Sequence, residues 1–138
     1  MYGFVRKEQN KVKSEELRMK KESILREKSY LFALEMIKIS RSLSSIEKEF
    51  ISSRQLLKAG TSIGALVREA EYAQSPADFI SKMSIALKEA NETEYWISLL
   101  KDSNLIDTNQ ATHLLSRNNE LISMLVATIK TTKNKINS

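Results

Sequence analysis

The apolar residues of the chain fall into four blocks, each with helical spacing. The first runs Leu25, Phe32, Met36, Ile39, Leu43 and Ile46 at steps of seven, four, three, four and three, a heptad seam. Beside it, Tyr30, Ala33, Leu34 and Ile37 form a second stripe, which predicts a helix that touches more than one neighbour. Ser44 followed by Glu47 has the spacing of a capping box and predicts a helix break at that point. The second block carries Leu56, Gly60, Ile63, Val67 and Ala70 on one seam, with Gly64 one turn beyond Gly60. Each mid-helix glycine costs about 1 kcal/mol against alanine. Close backbone approach by a neighbouring helix is the expected return.

Ser75-Pro76-Ala77-Asp78 supplies an N-cap serine, a proline at the first helical position and a carboxylate in the first turn. From there Phe79, Met83, Ala86, Ala90, Thr93, Ile97 and Leu100 alternate by four and three, and Ser103-Asn104 ends the helix. Asp107 with Gln110 caps a fourth helix through Ala111, Leu114, Leu115, Leu121, Ile122, Leu125, Val126 and Ile129. Short connections favour antiparallel neighbours. The predicted fold is therefore all-α, an antiparallel up-down-up-down four-helix bundle.

Composition narrows the alternatives. In 138 residues there are three glycines and one proline, too few breakers for a β-sandwich or barrel, and 41% hydrophobic residues suffice for one core. Residues 14–22, SEELRMKKE, are good helix formers with little apolar pattern. The chain divides on this reading into a basic N-terminal arm or helix extension (1–22), a bundle (23–130) and a basic C-terminal tail (131–138). Net charge is +5, but it is unevenly placed. Residues 1–13 hold four cations against Glu8, +3, residues 130–138 hold three lysines, +3, and the stretch between carries 5 − 6 = −1. Arg6, Lys7, Lys11, Lys13, Arg18, Lys20, Lys21, Lys130, Lys133 and Lys135 are the candidate phosphate contacts. No base-reading motif accompanies them, so poor sequence selectivity is expected. The alternative reading of the same tails is that they only keep the protein soluble.

Catalysis has little to draw on. There is no cysteine, which removes disulfides, thiolate metal sites and thiol nucleophiles. The one histidine, His113, allows neither HExxH nor the paired Glu-x-x-His motifs of a di-iron bundle. Beside Leu114 and Leu115 it reads as a polar residue at a bundle edge. GxSxG and a glycine-rich phosphate cradle are both missing; GTSIGA lies mid-helix, where packing explains it. No enzyme, cofactor or metal is expected. The charged N-terminus lacks the apolar region of a secretory signal, and no run reaches the ~20 apolar residues of a membrane span, so the expected location is cytoplasmic.

Within the pattern, Glu89, Glu92 and Glu94 surround Tyr95-Trp96 on the third helix, and Arg54, Arg68, Glu69 and Glu71 sit on the second. Ion pairing between helices accounts for them, with at least one arginine of helix two expected on a glutamate of helix three.

Residues 55–100, QLLKAGTSIGALVREAEYAQSPADFISKMSIALKEANETEYWISLL, resemble the signature of the four-helix-bundle family named for the 23S rRNA intervening-sequence protein. The matching pieces are QLL with GTSIGA, the EA-x-x-A-x-S-x-x-DF junction, and IALKEA-x-ETEYW, in order and at fixed spacing. The resemblance implies the same bundle, assembly into a homopentameric ring, and nucleic-acid binding as in some members. It also implies kinship with the accessory variability determinant proteins of diversity-generating retroelements, which assist a reverse transcriptase. Two functions follow as expectations. One is a non-enzymatic oligomer that binds RNA or DNA through its tails as an accessory to a nucleic-acid enzyme. The other is a structural or protein-interaction ring without nucleic acid.

Overall fold

A computed structural model describes residues 2–137 as four α-helices: α1 (Tyr2–Ser45), α2 (Phe50–Glu71), α3 (Pro76–Asp102) and α4 (Thr108–Asn137). No strand occurs among the described residues. Each helix packs along the next, and α4 returns to α1 in a looser contact that closes the bundle. The α1–α4 pairing is antiparallel, since Glu15 meets Lys135, Lys28 meets Glu120 and Glu35 meets His113.

The caps explain where the helices start. Ser75 Oγ accepts from the Asp78 N–H at 3.1 Å and Asp78 Oδ2 accepts from the Gln74 N–H at 3.2 Å, with Pro76 between them. Asp107 Oδ1 accepts from Asn109 and Gln110 N–H groups at 2.7 and 3.1 Å. The expected Ser44–Glu47 box does not form. Ser44 is still inside the last turn of α1, its hydroxyl lying 3.0 Å from Ser53 Oγ of α2, and the cap of α2 is Glu49, which accepts from the Ser52 N–H at 3.1 Å. The turn between them places Lys48 in the left-handed region at φ 55°.

The core is mostly the seam predicted for each helix, except that Ile46 lies beyond α1 and is 72% exposed and Val126 of α4 is 47% exposed. Leu25, Phe32, Met36, Ile39 and Leu43 of α1 are buried, as are Leu56, Ile63, Val67 and Ala70 of α2, and Met83, Ala86, Ala90, Ile97 and Leu100 of α3. From α4, Ala111, Leu114, Leu121, Leu125 and Ile129 complete it. The glycines allow α1 to approach α2. A Cβ on Gly60 would stand 2.3 Å from Met36 Cγ, and one on Gly64 would stand 3.2 Å from the Ser29 carbonyl oxygen. Asn118, fully buried, donates from Nδ2 to the Ala90 carbonyl at 2.8 Å and ties α4 to α3.

Two expectations need correction, while of the arm or helix extension expected over residues 1–22 the described part is the start of α1, and the expected tail continues α4 to Asn137. Arg18 bonds Glu15 at 2.7 Å and lies 3.9 Å from Glu22, pairs one turn apart that support a helix rather than a loose arm. α1 does touch two neighbours, α2 and α4, but they leave its second stripe largely open, with Tyr30, Leu34 and Ile37 49%, 47% and 41% exposed. α2 reaches only the edge of that stripe, where Arg68 lies by Tyr30 and Leu57 shares a groove with Ile37. Among the described residues, finally, no arginine of α2 pairs with a glutamate of α3. Arg68 instead places its guanidinium 5.3 Å from the Tyr30 ring centre, and the α2–α3 ion pair is Glu69 with Lys82 at 3.9 Å.

Candidate nucleic-acid interface

At 1.5 Å per residue the 44 residues of α1 span about 66 Å, twice the length of the 22-residue α2. Its N-terminal half therefore runs on past the end of α2, accompanied only by the last turns of α4. Residues 3–14 are exposed throughout. The bundle and this projecting stalk share one helix, and the chemistry of its inner seam changes between them. Stepping back from Leu43 by threes and fours, the seam reads Ile39, Met36, Phe32, Ser29 and Leu25, then Lys21, Arg18, Ser14, Lys11 and Lys7. Positions that are core in the bundle become cationic in the stalk. At ~100° per residue, Arg6, Lys7, Lys11, Lys13, Arg18, Lys20 and Lys21 occupy about half of the helix circumference, and Glu8, Glu15, Glu16 and Glu22 the other half.

Seven of the ten candidate cations thus share one side of one helix. Among them only Arg18 is in an ion pair; Lys7, Lys11 and Lys21 form none with described residues. Lys130 and Lys133 are exposed on α4, and Lys135 reaches across to Glu15. This contact, with Arg18 beside it, holds the Glu15 carboxyl below its ordinary value. Lys28 does the same to Glu120 further along the seam. Glu22 moves the other way, pushed up by burial against the opposing pull of Arg18.

Between the stalk helices lies a cleft of about 460 Å³, lined by Ser14, Leu17, Arg18, Lys21 and Glu22 of α1 and by Ser123, Met124, Ala127, Thr128, Thr131 and Thr132 of α4. Thr128 and Thr132 spend their hydroxyls on the backbone carbonyls of Met124 and Thr128, at 2.8 and 2.9 Å. Their methyl groups are what remain for the cleft. The slot is therefore apolar inside and cationic along its α1 edge.

The sequence profile of the 23S rRNA-intervening sequence proteins matches residues 21–127, more than three-quarters of the chain. The chain belongs to that family. It is also similar, at 45% identity and a TM-score of 0.79, to a crystal structure from Bacteroides thetaiotaomicron described as a protein of unknown function from the S23 ribosomal protein family. That likeness covers 98% of the Bacteroides chain but 80% of this one. No curated protein matches. Residues 2–20 and 128–137 lie outside the family match, and they are the residues that build the outer stalk.

Elsewhere the remaining candidates stay ordinary. His113 is exposed at the bundle edge with Nε2 3.1 Å from Glu35 Oε1. Trp96 is half-buried, donates from Nε1 to Glu92 Oε1 at 3.4 Å and packs edge-on against Tyr95. Burial, and then the neighbouring Glu92, raise the Glu89 carboxyl. Among the described residues no three His, Cys, Asp or Glu side chains cluster to hold a metal, and no helix is long and apolar enough to cross a membrane.

Two surfaces carry exposed apolar residues, the first of them containing the second stripe that the periodicity marked on α1. On α1 and α2, Tyr30, Leu34, Ile37 and Phe50 are exposed, with Arg68 over Tyr30, and Arg41 and Arg54 flanking a groove floored by Ile37 and Leu57. On α3, Ile85, Glu92 and Leu99 alternate at heptad spacing with Lys88, Tyr95 and Asp102, all exposed. The signal was present in the sequence, as apolar residues off the core seam. It is read only once the helix neighbours are known.

Proposed function

We propose that the protein is a non-enzymatic helical oligomer that binds RNA or DNA through its stalk, as an accessory to a nucleic-acid enzyme such as a reverse transcriptase. The observation that carries this reading is the inner seam of α1, which continues from Leu25 into Lys21, Arg18, Lys11 and Lys7. A bundle helix gains nothing for its own packing from cations in core register; a polyanion laid along them releases counterions from its phosphates. The matched family's name refers to ribosomal RNA, which agrees with such a ligand. Binding works in the cytoplasm, where nucleic acid is at hand. A salt titration by fluorescence anisotropy tests it. The intact chain is expected to bind a structured RNA with a log–log slope that falls by roughly 0.7–0.9 for each phosphate contact removed, when lysines of the stalk are changed to glutamine. No binding at low salt would refute it.

The exposed faces favour a ring of like subunits, which as a scaffold without nucleic acid is the second reading. The α1–α2 face is apolar with arginines, and the α3 face is apolar with Glu92 and Asp102 against one cation, Lys88. Such a complementary pair joins subunits head to tail, and a head-to-tail contact closes into a ring when its rotation allows. Five is the number that the family resemblance implies, and it is the number we propose. Light scattering is expected to give five times the 15.8 kDa chain, and a monomer would exclude the ring.

A further inference from the structure

We infer that the ligand of the stalk is single-stranded nucleic acid, its phosphates along the α1 seam and an unstacked base in the cleft between α1 and α4. The inference rests on the nucleic-acid reading above and goes beyond it by naming the strand state and the pocket. Two observations from different parts of the geometry carry it. The first is the run of cations: Lys7, Lys11, Arg18 and Lys21 follow one another every three to seven residues along one face, about 5–10 Å apart at 1.5 Å per residue. That is a linear track, suited to a backbone lying parallel to the helix. The second is the apolar slot that opens beside Arg18 and Lys21 at the inner end of this track.

A slot of about 460 Å³ between two helices admits a planar ring, and its walls of Leu17, Met124, Ala127 and threonine methyl groups offer that ring a dry surface. In a duplex the bases are stacked and paired, and nothing but an unstacked base can enter. Arg18 lines the same slot, its guanidinium held by Glu15 and Glu22, and the plane of that guanidinium offers a nucleobase a stacking surface. With the Thr128 and Thr132 hydroxyls spent on backbone carbonyls, few groups remain to read a base edge, so little preference among bases is expected. Glu22 also lines the slot, so an uncharged base suits its interior better than a carboxylate or a phosphate does.

Duplex DNA is the competing occupant, because a bare basic helix also fits a major groove. That mode uses residues 2–13 and leaves the cleft empty. The two are separated by anisotropy on the full chain, comparing a labelled 12-nucleotide single strand with a hairpin duplex of equal phosphate number. Ala127→Leu, at an exposed position, fills the slot without changing charge; Lys7→Gln with Lys11→Gln removes part of the track. The single strand is expected to bind more tightly than the duplex. Ala127→Leu should weaken the single strand roughly tenfold and leave the duplex unchanged, while the double lysine change weakens both. Equal binding of the two ligands, or indifference of the single strand to Ala127→Leu, overturns the cleft while the nucleic-acid reading stands. Displacement of the strand by polyglutamate of the same charge at the same concentration also overturns it, since charge alone is then being read. If neither ligand binds, the proposed function itself fails.

Discussion

The two halves of α1 have the same secondary structure and opposite reasons for it. From Leu25 to Leu43 the inner seam is buried against α2 and α4, and the helix is held by its core. From Lys7 to Lys21 the seam is cationic, α2 has ended, and the helix is held by good helix formers, the Glu15–Arg18–Glu22 pairs and the contact from Lys135. One half is spent on folding, and the other is the half that the proposed function assigns to a ligand. The family match begins at residue 21, close to where the chemistry changes. A common bundle thus carries an extension that the family profile does not describe.

This contrast is broken most severely at the core. Leu56→Ala is expected to cost about 2–5 kcal/mol in urea unfolding, because a fully buried side chain leaves a cavity. Leu17→Ala, half-exposed on the stalk, should cost no more than about 0.5 kcal/mol. Equal costs would mean that the stalk is as much a folding unit as the bundle. Next comes Gly60→Ala. The new Cβ collides with Met36 Cγ, and overpacking of roughly 1–3 kcal/mol should exceed the ~1 kcal/mol that alanine gains in helix propensity, so the variant melts lower.

Smaller effects concern the stalk itself. Amide hydrogen exchange is expected to be fast over residues 3–13 and slow at Met36 and Ile63, and uniform protection along α1 would contradict the division. The smallest is electrostatic. Glu15 has a lowered folded pKa, so its contact with Lys135 contributes above the ordinary carboxylate value near 4.5 and is lost as pH falls through the lowered one. Lys135→Met should move the Glu15 titration, followed by NMR, back up towards that ordinary value.

Much of the bundle was legible in the sequence, because core seams and caps are local signals. Ser75 and Asp107 are caps by spacing alone, and Gly60 and Gly64 announced a close helix contact that Met36 and Ser29 supply. What was not legible depended on neighbours. Ser44 has the right spacing for a cap, but α1 continues past it and α2 claims its hydroxyl. Tyr30, Leu34 and Ile37 look like a second buried stripe until α2 and α4 are seen to leave that face open. An arginine of α2 was expected on a glutamate of α3, whereas Arg68 lies over Tyr30. The ten cations were found by composition, yet their alignment with the core register of α1, and the cleft beside it, emerge only when α1 is one unbroken helix and α4 runs along it to Asn137.

The central claim is that register, and not net charge, makes the stalk a site. The direct measurement compares two triple variants of equal charge by salt-dependent anisotropy. One changes Lys7, Lys11 and Lys21, on the seam, to glutamine; the other changes Arg6, Lys13 and Lys20, off it. The seam variant is expected to flatten the log–log salt slope by about 2, with the off-seam variant changing it by well under half as much. Equal losses from the two variants would contradict the account.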